Sequence, residues 1–435
     1  MKLECNRIRP MKTYIPRVSD VRIAEELAGM GAVLVQGAKW CGKTTSCEQF
    51  AKSALYMADP KKRDTYLKMA ENDVSELLKG DKPRLIDEWQ DAPQFWDAVR
   101  YDVDHADECG QFILTGSATP PDPERISHSG TGRIARVTMR PMSLWESGES
   151  SGSVSLGKLF NGSPFEPGRA QDRSLAETAF LVCRGGWPRA VLQKGHLALR
   201  RAFDYYDSVV NADINRADKT MRDPERVKRL MRSYARLQGT QSGLKAIKLD
   251  MAANEPKSFD EDTVASYVNV LKKIFVVEDM SAWCPNLRNK AVVRTCDTRY
   301  FTDPSIAVAA LGVGPRDLMD DLNTFGLLFE AMAVRDLRCY VGALDGSVSH
   351  YRDGSGLECD AVVHLRNGSY GLVEVKLGGE TLIASGADSL LRLARKLDVT
   401  KMRKPSFLMV LVAHGEFAYR RNDGVLVVPI SALKP

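Results

Sequence analysis

The chain has 435 residues, 27% charged and 44% hydrophobic, and a formal net charge of +5. Its length exceeds one typical core, so about two to four domains are expected. The ordinary composition excludes a disordered or low-complexity chain, and no apolar run reaches membrane-spanning length.

Nine cysteines are scattered without C-x-x-C pairs or zinc-like clusters, and the N-terminus lacks the long apolar core of a signal peptide. A cytoplasmic protein with reduced thiols, not associated with a membrane, is expected. The mild positive charge permits a nucleic-acid partner without demanding one. Tyr14-Ile15-Pro16-Arg17 precedes a helix predicted over Asp20–Ala28, which Gly29 and Gly31 end. Ala32-Val33-Leu34-Val35 reads as a buried strand, and Thr45–Lys52 reads as a helix.

Between that strand and helix stands Gly37-Ala38-Lys39-Trp40-Cys41-Gly42-Lys43-Thr44, with the spacing G-x-x-x-x-G-K-[ST] of a P-loop. A strand that turns sharply into a helix aims several backbone N–H groups at one point, where a phosphate fits. Gly37 and Gly42 allow the strained loop and the close approach. Lys43 is expected to reach the β- and γ-phosphates and Thr44 to ligate Mg²⁺. The nucleotide-binding set is therefore Gly37, Ala38, Lys39, Trp40, Cys41, Gly42, Lys43, Thr44 and Thr45, with ATP and Mg²⁺ as cofactors.

Lys61–Lys79 reads as a charged, mostly helical stretch, and Asp81-Lys82-Pro83 as a turn. Arg84-Leu85-Ile86-Asp87-Glu88 is a short apolar strand ending in two acids, the second half of an ATPase site. Asp87 is expected to hold Mg²⁺, directly or through water, and Glu88 to act as general base on the attacking water. Gln111–Ala118 is another buried strand ending in hydroxyls. Thr115 and Ser117 are candidates to touch the γ-phosphate or the water, although a plain Gly-Ser turn would read the same way. Arg133 or Arg136 could reach a phosphate, in cis or across a subunit boundary in a homo-oligomer; a surface arginine on a loop is the alternative.

The order Tyr-Ile-Pro-Arg, P-loop, Leu-Ile-Asp-Glu-Trp-Gln, Ile-Leu-Thr-Gly-Ser and Gly-Arg…Met-Ser-Leu-Trp-Glu resembles a large prokaryotic family. There an AAA+-type ATPase domain is coupled to a C-terminal domain of unknown function numbered 4143. The resemblance covers nearly the whole chain and implies ATP binding more firmly than any biology. Trp40-Cys41 departs from the small or basic residues more usual in the loop, but phosphate contacts there come from the backbone.

Beyond it, Ser147–Gly168 is rich in Gly, Ser and Pro and reads as a loop or linker. Helices are predicted over Ser174–Val182 and Leu197–Asn211, separated by the turn Arg184–Pro188. From Arg222 to Gln238, Arg222, Arg226, Arg229, Arg232 and Arg236 form one helical stripe opposite Val227, Leu230, Met231, Tyr234 and Leu237. The stripe is either a solvated face or a track for a phosphate backbone. Leu244–Ala253, Glu261–Phe275 and the start of a wing at Ile274–Val277 could form a winged helix, which the resemblance supports.

In the last part, Phe325–Cys339 is a predicted helix carrying Glu330. His350–Arg352, Glu358–Val363 and Gly371–Lys376 read as strands. Residues two apart on a strand share a face, so Glu374 and Lys376 point the same way. An acid on a helix, Asp360 on one strand and Glu374-x-Lys376 on the next resemble the restriction-endonuclease fold. By that resemblance Asp360 and Glu374 would hold Mg²⁺, Lys376 would orient or deprotonate the attacking water, and Glu330 would support metal or water. A surface salt-bridged strand is the bland alternative.

The expected architecture is α/β. It comprises an AAA+-like P-loop NTPase domain (1–150), a linker and helical lid (151–215), a winged-helix-like domain (216–312) and a restriction-endonuclease-like domain (313–435). The expected function is ATP binding and hydrolysis acting on DNA, with a Mg²⁺-dependent nuclease domain. The alternative is a nucleotide-switched DNA- or protein-binding factor that does not cleave.

Overall fold

The computed structural model describes residues 14–119, 129–218, 220–252, 260–285, 296–400 and 402–435. The chain forms two compact units. The first takes its described residues from Met1–Arg140, Asn211–Arg222 and Val270–Phe275; the second takes them from Pro141–Val210, Asp223–Asn269 and Val276–Pro435.

The first unit is built on five parallel strands: β1 (Ala32–Gln36), β2 (Ser53–Tyr56), β3 (Arg84–Asp87), β4 (Phe112–Gly116) and β5 (Ile134–Thr138), in the order β2-β3-β4-β1-β5. The strands are near-continuous apolar runs because both faces are covered. Alternation divides β1 between them. Ala32 and Leu34 pack with Phe95, Trp96 and Val99 of the helix Gln94–Asp104, whereas Val33 and Val35 pack with Ile23 of the helix Val18–Gly29. Truncating a fully buried member such as Leu34 to alanine costs about 2–5 kcal/mol. The order matters more than the core: β4 lies between β1 and β3. It brings the carboxyl ends of all three strands side by side, where α/β sheets bind ligands.

The expected helix after the P-loop is short. It runs Lys43–Cys47 and gives way to a turn. Thr44, Thr45, Ser46 and Cys47 are weak helix formers, and β2 begins at Ser53.

The second unit holds β6 (Val154–Ser155), β7 (Gly168–Arg169), β8 (Gly346–Arg352), β9 (Glu358–Leu365), β10 (Tyr370–Lys376), β11 (Phe407–Val412), β12 (Phe417–Arg420), β13 (Leu426–Pro429) and β14 (Leu433–Lys434). A mixed seven-stranded sheet runs β7-β12-β13-β11-β10-β9-β8. Strands β8, β9 and β10 are antiparallel, while β10, β11 and β13 are parallel. Val362, Leu372, Val410 and Val427 pack on one face with Leu390 and Leu393 of the helix Glu380–Lys396. The helix Leu322–Ala343, longer than the predicted Phe325–Cys339, contacts β8, β9 and β10.

Ser147–Gly168 is mostly irregular, as expected of a loop, but it is tied to the sheet of the second unit. β6 pairs with β14, β7 pairs with β12, and the Ser150 hydroxyl donates to the Leu433 carbonyl at 2.7 Å. These partners lie far along the chain, so local composition does not reveal them. The helices Pro224–Arg236, Leu244–Ala252 and Glu261–Lys273 are followed by antiparallel bridges Val277–Phe301 and Met280–Thr298. Within the expected wing start Ile274–Val277, Val277 bridges Phe301 and the Val276 carbonyl accepts from the Thr302 amide at 3.0 Å. The expected helix end at Ala253 lies outside the described residues.

Candidate active site

In the first unit Gly37 has φ 152° and Gly42 has φ 104°. A Cβ on Gly37 would stand 2.0 Å from the Met139 carbonyl oxygen, so no side chain fits there. Trp40 also takes a positive φ, 63°, and its side chain is exposed. The Lys43 ammonium donates to the carbonyls of Gly37 and Ala38 at 2.9 and 2.8 Å, lying across the loop. Arg17 braces the loop from below, donating to the carbonyls of Cys41 at 2.6 Å and Arg140 at 2.8 Å. The Tyr14 hydroxyl joins Asp20 at 2.6 Å and Ser46 at 2.9 Å.

The other side chains arrive from β3 and β4. Asp87 Oδ1 accepts from Thr44 at 2.7 Å and from Thr115 at 2.6 Å. The Thr115 hydroxyl in turn accepts from the Glu88 amide at 3.1 Å. Burial pushes the Asp87 carboxyl up and the Glu88 charge adds to this, while the Thr115 and Thr44 hydroxyls pull it down. Glu88 has φ 58°, in the left-handed region that costs a non-glycine residue about 1–3 kcal/mol. That turn swings its carboxylate to Ser117, whose hydroxyl donates at 2.8 Å, and to the Gln90 amide. Thr44, Asp87, Glu88, Thr115 and Ser117 thus form one connected network beside Lys43.

Arg133 is elsewhere. Its carbonyl accepts from the Ala32 amide at the start of β1, whereas the P-loop follows the end of that strand, about 13 Å further on. Its guanidinium pairs with Asp104 at 2.6 Å on the exposed surface. Arg136 lies over the Trp96 ring at 5.0 Å. Neither reaches this loop in cis. Two contacts at the site have no local sequence signal: Lys39 pairs with Asp213 at 2.5 Å, and Arg17 reaches Arg140. Gln90 stands inside the Leu-Ile-Asp-Glu-Trp-Gln run, where its spacing from Glu88 was the available clue.

A second cluster lies on the sheet of the second unit. Asp360 of β9 and Glu374 and Lys376 of β10 have the strand parity of Val362 and Leu372, the face that the helix Glu380–Lys396 covers. Gly386 of that helix comes over Glu374 and Lys376, leaving space that a Cβ would narrow to ordinary contact. The Lys376 ammonium lies 3.1 Å from Asp360 and 2.6 Å from Glu374. Asp360 also accepts the Val375 amide at 2.7 Å. Burial, and then the charge of Asp360, push Glu374 up to about 8. Burial opposes the Lys376 charge, but the two acids outweigh it and hold its pKa above the usual value. Glu330 accepts from the buried Tyr300 hydroxyl, and burial and Asp360 raise its pKa well above the carboxylate range. Among the described residues no group of three or more His, Cys, Asp or Glu side chains is arranged to hold a metal ion.

On the helix Pro224–Arg236, Arg226, Arg229, Arg232 and Arg236 are exposed opposite the buried Val227, Leu230, Met231 and Tyr234. Arg222 leaves the stripe: it precedes the capping Asp223 and is buried. Arg236 pairs with Asp250 at 3.0 Å. Among the described residues no helix is long and apolar enough to cross a membrane.

Residues 30–147 match a family model described as an AAA domain, and residues 325–433 match one described as a domain of unknown function (DUF4143). Residues 176–317 match a further domain of unknown function (DUF8612). No curated protein matches the chain. Among solved structures, a Walker-type ATPase of Pyrococcus abyssi is similar at 14% identity and a TM-score of 0.42, over 69% of this chain and 98% of that one. The Orc1 protein of Aeropyrum pernix, solved in complex with DNA, is similar at 12% identity and a TM-score of 0.24, over 72% of this chain and 94% of that one. The P-loop network falls inside the AAA match and the Asp360–Glu374–Lys376 cluster inside the DUF4143 match. The chain thus carries an AAA domain followed by a C-terminal domain of unknown function 4143, the combination that its motifs resemble.

Proposed function

We propose that the first unit binds ATP with Mg²⁺ and hydrolyses it. The observation that carries this reading is the convergence of Thr44, Asp87, Thr115, Glu88 and Ser117 at the carboxyl ends of three adjacent strands. The loop amides and Lys43 bind the phosphates. The Thr44 hydroxyl and Asp87 carboxylate, meeting at 2.7 Å, are hard oxygen donors of the kind that suits Mg²⁺. Bound there, Mg²⁺ would neutralise charge on the β- and γ-oxygens. Glu88 takes the proton of the attacking water. Ser117 and Gln90 both donate to Oε2 of Glu88, which aims the carboxylate. Phosphate release from ATP, measured for the wild type and for Glu88→Gln, tests the assignment. Equal rates would overturn it.

DNA is the partner that the exposed Arg226, Arg229 and Arg232 support. A second reading, Mg²⁺-dependent phosphodiester cleavage in the second unit, is favoured by the meeting of Asp360, Glu374 and Lys376. Asp360 and Glu374 supply two oxygen ligands; the rest of the coordination would come from water and substrate phosphate. Lys376 would compensate charge beside the attacking water. Incubating supercoiled and single-stranded DNA with Mg²⁺ or Mn²⁺, with and without ATP, decides it. Cleavage lost in Asp360→Asn supports a nuclease, and no cleavage under any condition supports a nucleotide-switched binding factor.

A further inference from the structure

Lys39 belongs to the P-loop backbone, yet its side chain is committed elsewhere. Its ammonium stands 2.5 Å from Asp213, whose side chain is only 10% exposed while that of Lys39 is 38% exposed. Asp213 ends the π-helical turn Val209–Asp213, which interrupts the chain between the helices Gly195–Ser208 and Ile214–Asp218. Single π-turns of this sort are uncommon and concentrate at functional sites. Asn211–Arg222 packs in the compact unit of the P-loop, whereas the helices on either side of it in the chain, Gly195–Ser208 and Pro224–Arg236, belong to the other unit. The chain therefore returns to the nucleotide unit at this point, where Asp213 meets Lys39 of the P-loop.

The loop that would cradle the phosphates carries Lys39 between Gly37 and Lys43. A lysine carries its ammonium on a flexible four-carbon stem, so it can turn from one anion to another. An ion pair with one partly exposed partner is weak, so a stronger anion nearby displaces it. The terminal phosphate of ATP, with more charge than a carboxylate and several acceptor oxygens, is such an anion; ADP lacks it. We propose that Lys39 is a binding residue for the terminal phosphate of ATP, held on Asp213 when that phosphate is absent. Its exchange between the two anions reports ATP against ADP to the turn Val209–Asp213. The inference rests on the ATP reading above and adds a side chain and a relay to it.

Calorimetric titration with ATPγS and with ADP, in Mg²⁺, tests it on the full chain. Lys39→Met is expected to weaken ATPγS binding about tenfold, the loss of one charge-assisted contact, and to leave ADP within about twofold. Asp213→Asn, which removes the competing anion, is expected to tighten ATPγS several-fold relative to ADP. Lys39→Arg keeps the charge and retains the discrimination, which covers the case in which Lys39→Met fails to fold. Hydrogen exchange adds a structural readout: ATPγS, and not ADP, is expected to speed exchange across residues 209–217 in the wild type. Equal losses for both nucleotides in Lys39→Met, or exchange that ignores the nucleotide, overturns the relay and leaves the ATP site standing. A wild type that binds neither nucleotide, indistinguishable from Lys43→Ala, overturns the ATP site and the relay together.

Discussion

The two acid clusters of this chain use the same residue types and solve their charge problem differently. At the P-loop, Asp87 is bonded by two hydroxyls, and Lys43 is folded onto the carbonyls of Gly37 and Ala38. On the second unit's sheet, Lys376 lies directly between Asp360 and Glu374. Neutral hydroxyls hold a carboxylate in place without cancelling its charge, and on the ATP reading that charge is left for a cation. The second cluster already contains one. A pair of acids in a sequence therefore does not distinguish a carboxylate held by hydroxyls from one held by a lysine; strand order and packing do.

The sharpest way to break this contrast is at the P-loop. Lys43→Ala is expected to abolish nucleotide binding, and Glu88→Gln to keep binding while hydrolysis falls about 10²–10⁴-fold. Nucleotide affinity and phosphate release measured side by side would show it. Wild-type hydrolysis in Lys43→Ala would place the reaction somewhere else.

Removing the built-in cation sharpens the comparison from the other side. Lys376→Met leaves the Asp360 charge beside Glu374 without compensation. Breaking a buried pair costs about 3–5 kcal/mol, and the 24% exposure of Lys376 reduces this to about 2 kcal/mol. The melting temperature should fall accordingly and recover on adding Mg²⁺, because a divalent ion can replace the ammonium. A variant as stable as the wild type would mean that the lysine compensates nothing.

The arginine stripe gives a smaller effect. If Arg226 and Arg229 each meet a phosphate, replacing both by alanine should lower the salt slope of DNA binding by about 2. An unchanged slope returns the stripe to a solvated face.

The smallest expected effect is a pH dependence of the second unit. His350 is buried, accepts a proton reluctantly for that reason, and is tied to the Cys296 carbonyl and to Gln241. The Asp297 charge raises its pKa and the Arg352 charge lowers it. Its folded pKa lies below the unfolded value near 6.5. The associated stability is therefore complete above about pH 6.5 and declines as pH falls toward the folded pKa. Thermal melts from pH 8 to pH 5 should show that decline, and His350→Gln should flatten it.

The P-loop was legible because its chemistry is local. A strand, a glycine loop, Lys43 and Thr44 are consecutive, and Asp87 and Glu88 end one short strand. Glu374 and Lys376 were legible by strand alternation, and Asp360 meets them because β9 pairs with β10. What failed was whatever depended on distant partners. Ser147–Gly168 has the composition of a linker and yet supplies β6 and β7, since its hydrogen-bond partners are β14 and β12. Arg133 was a candidate for the phosphates in cis, but it stands just before β5, at the end of the sheet away from the loop, as the surface-arginine alternative had it.

By itself the sequence determined the loop that can hold phosphate, the two acids beside it and the faces of the amphipathic strands and helices. Each follows from residue type at fixed short spacing, where backbone geometry leaves few choices. Only the tertiary structure decided that β4 stands between β1 and β3, so that Thr115 and Ser117 reach Asp87 and Glu88. It alone decided that Lys376 bridges Asp360 and Glu374 and that Lys39 finds Asp213. Charges separated widely along the chain meet only through strand order and packing, and neither is written in the local pattern.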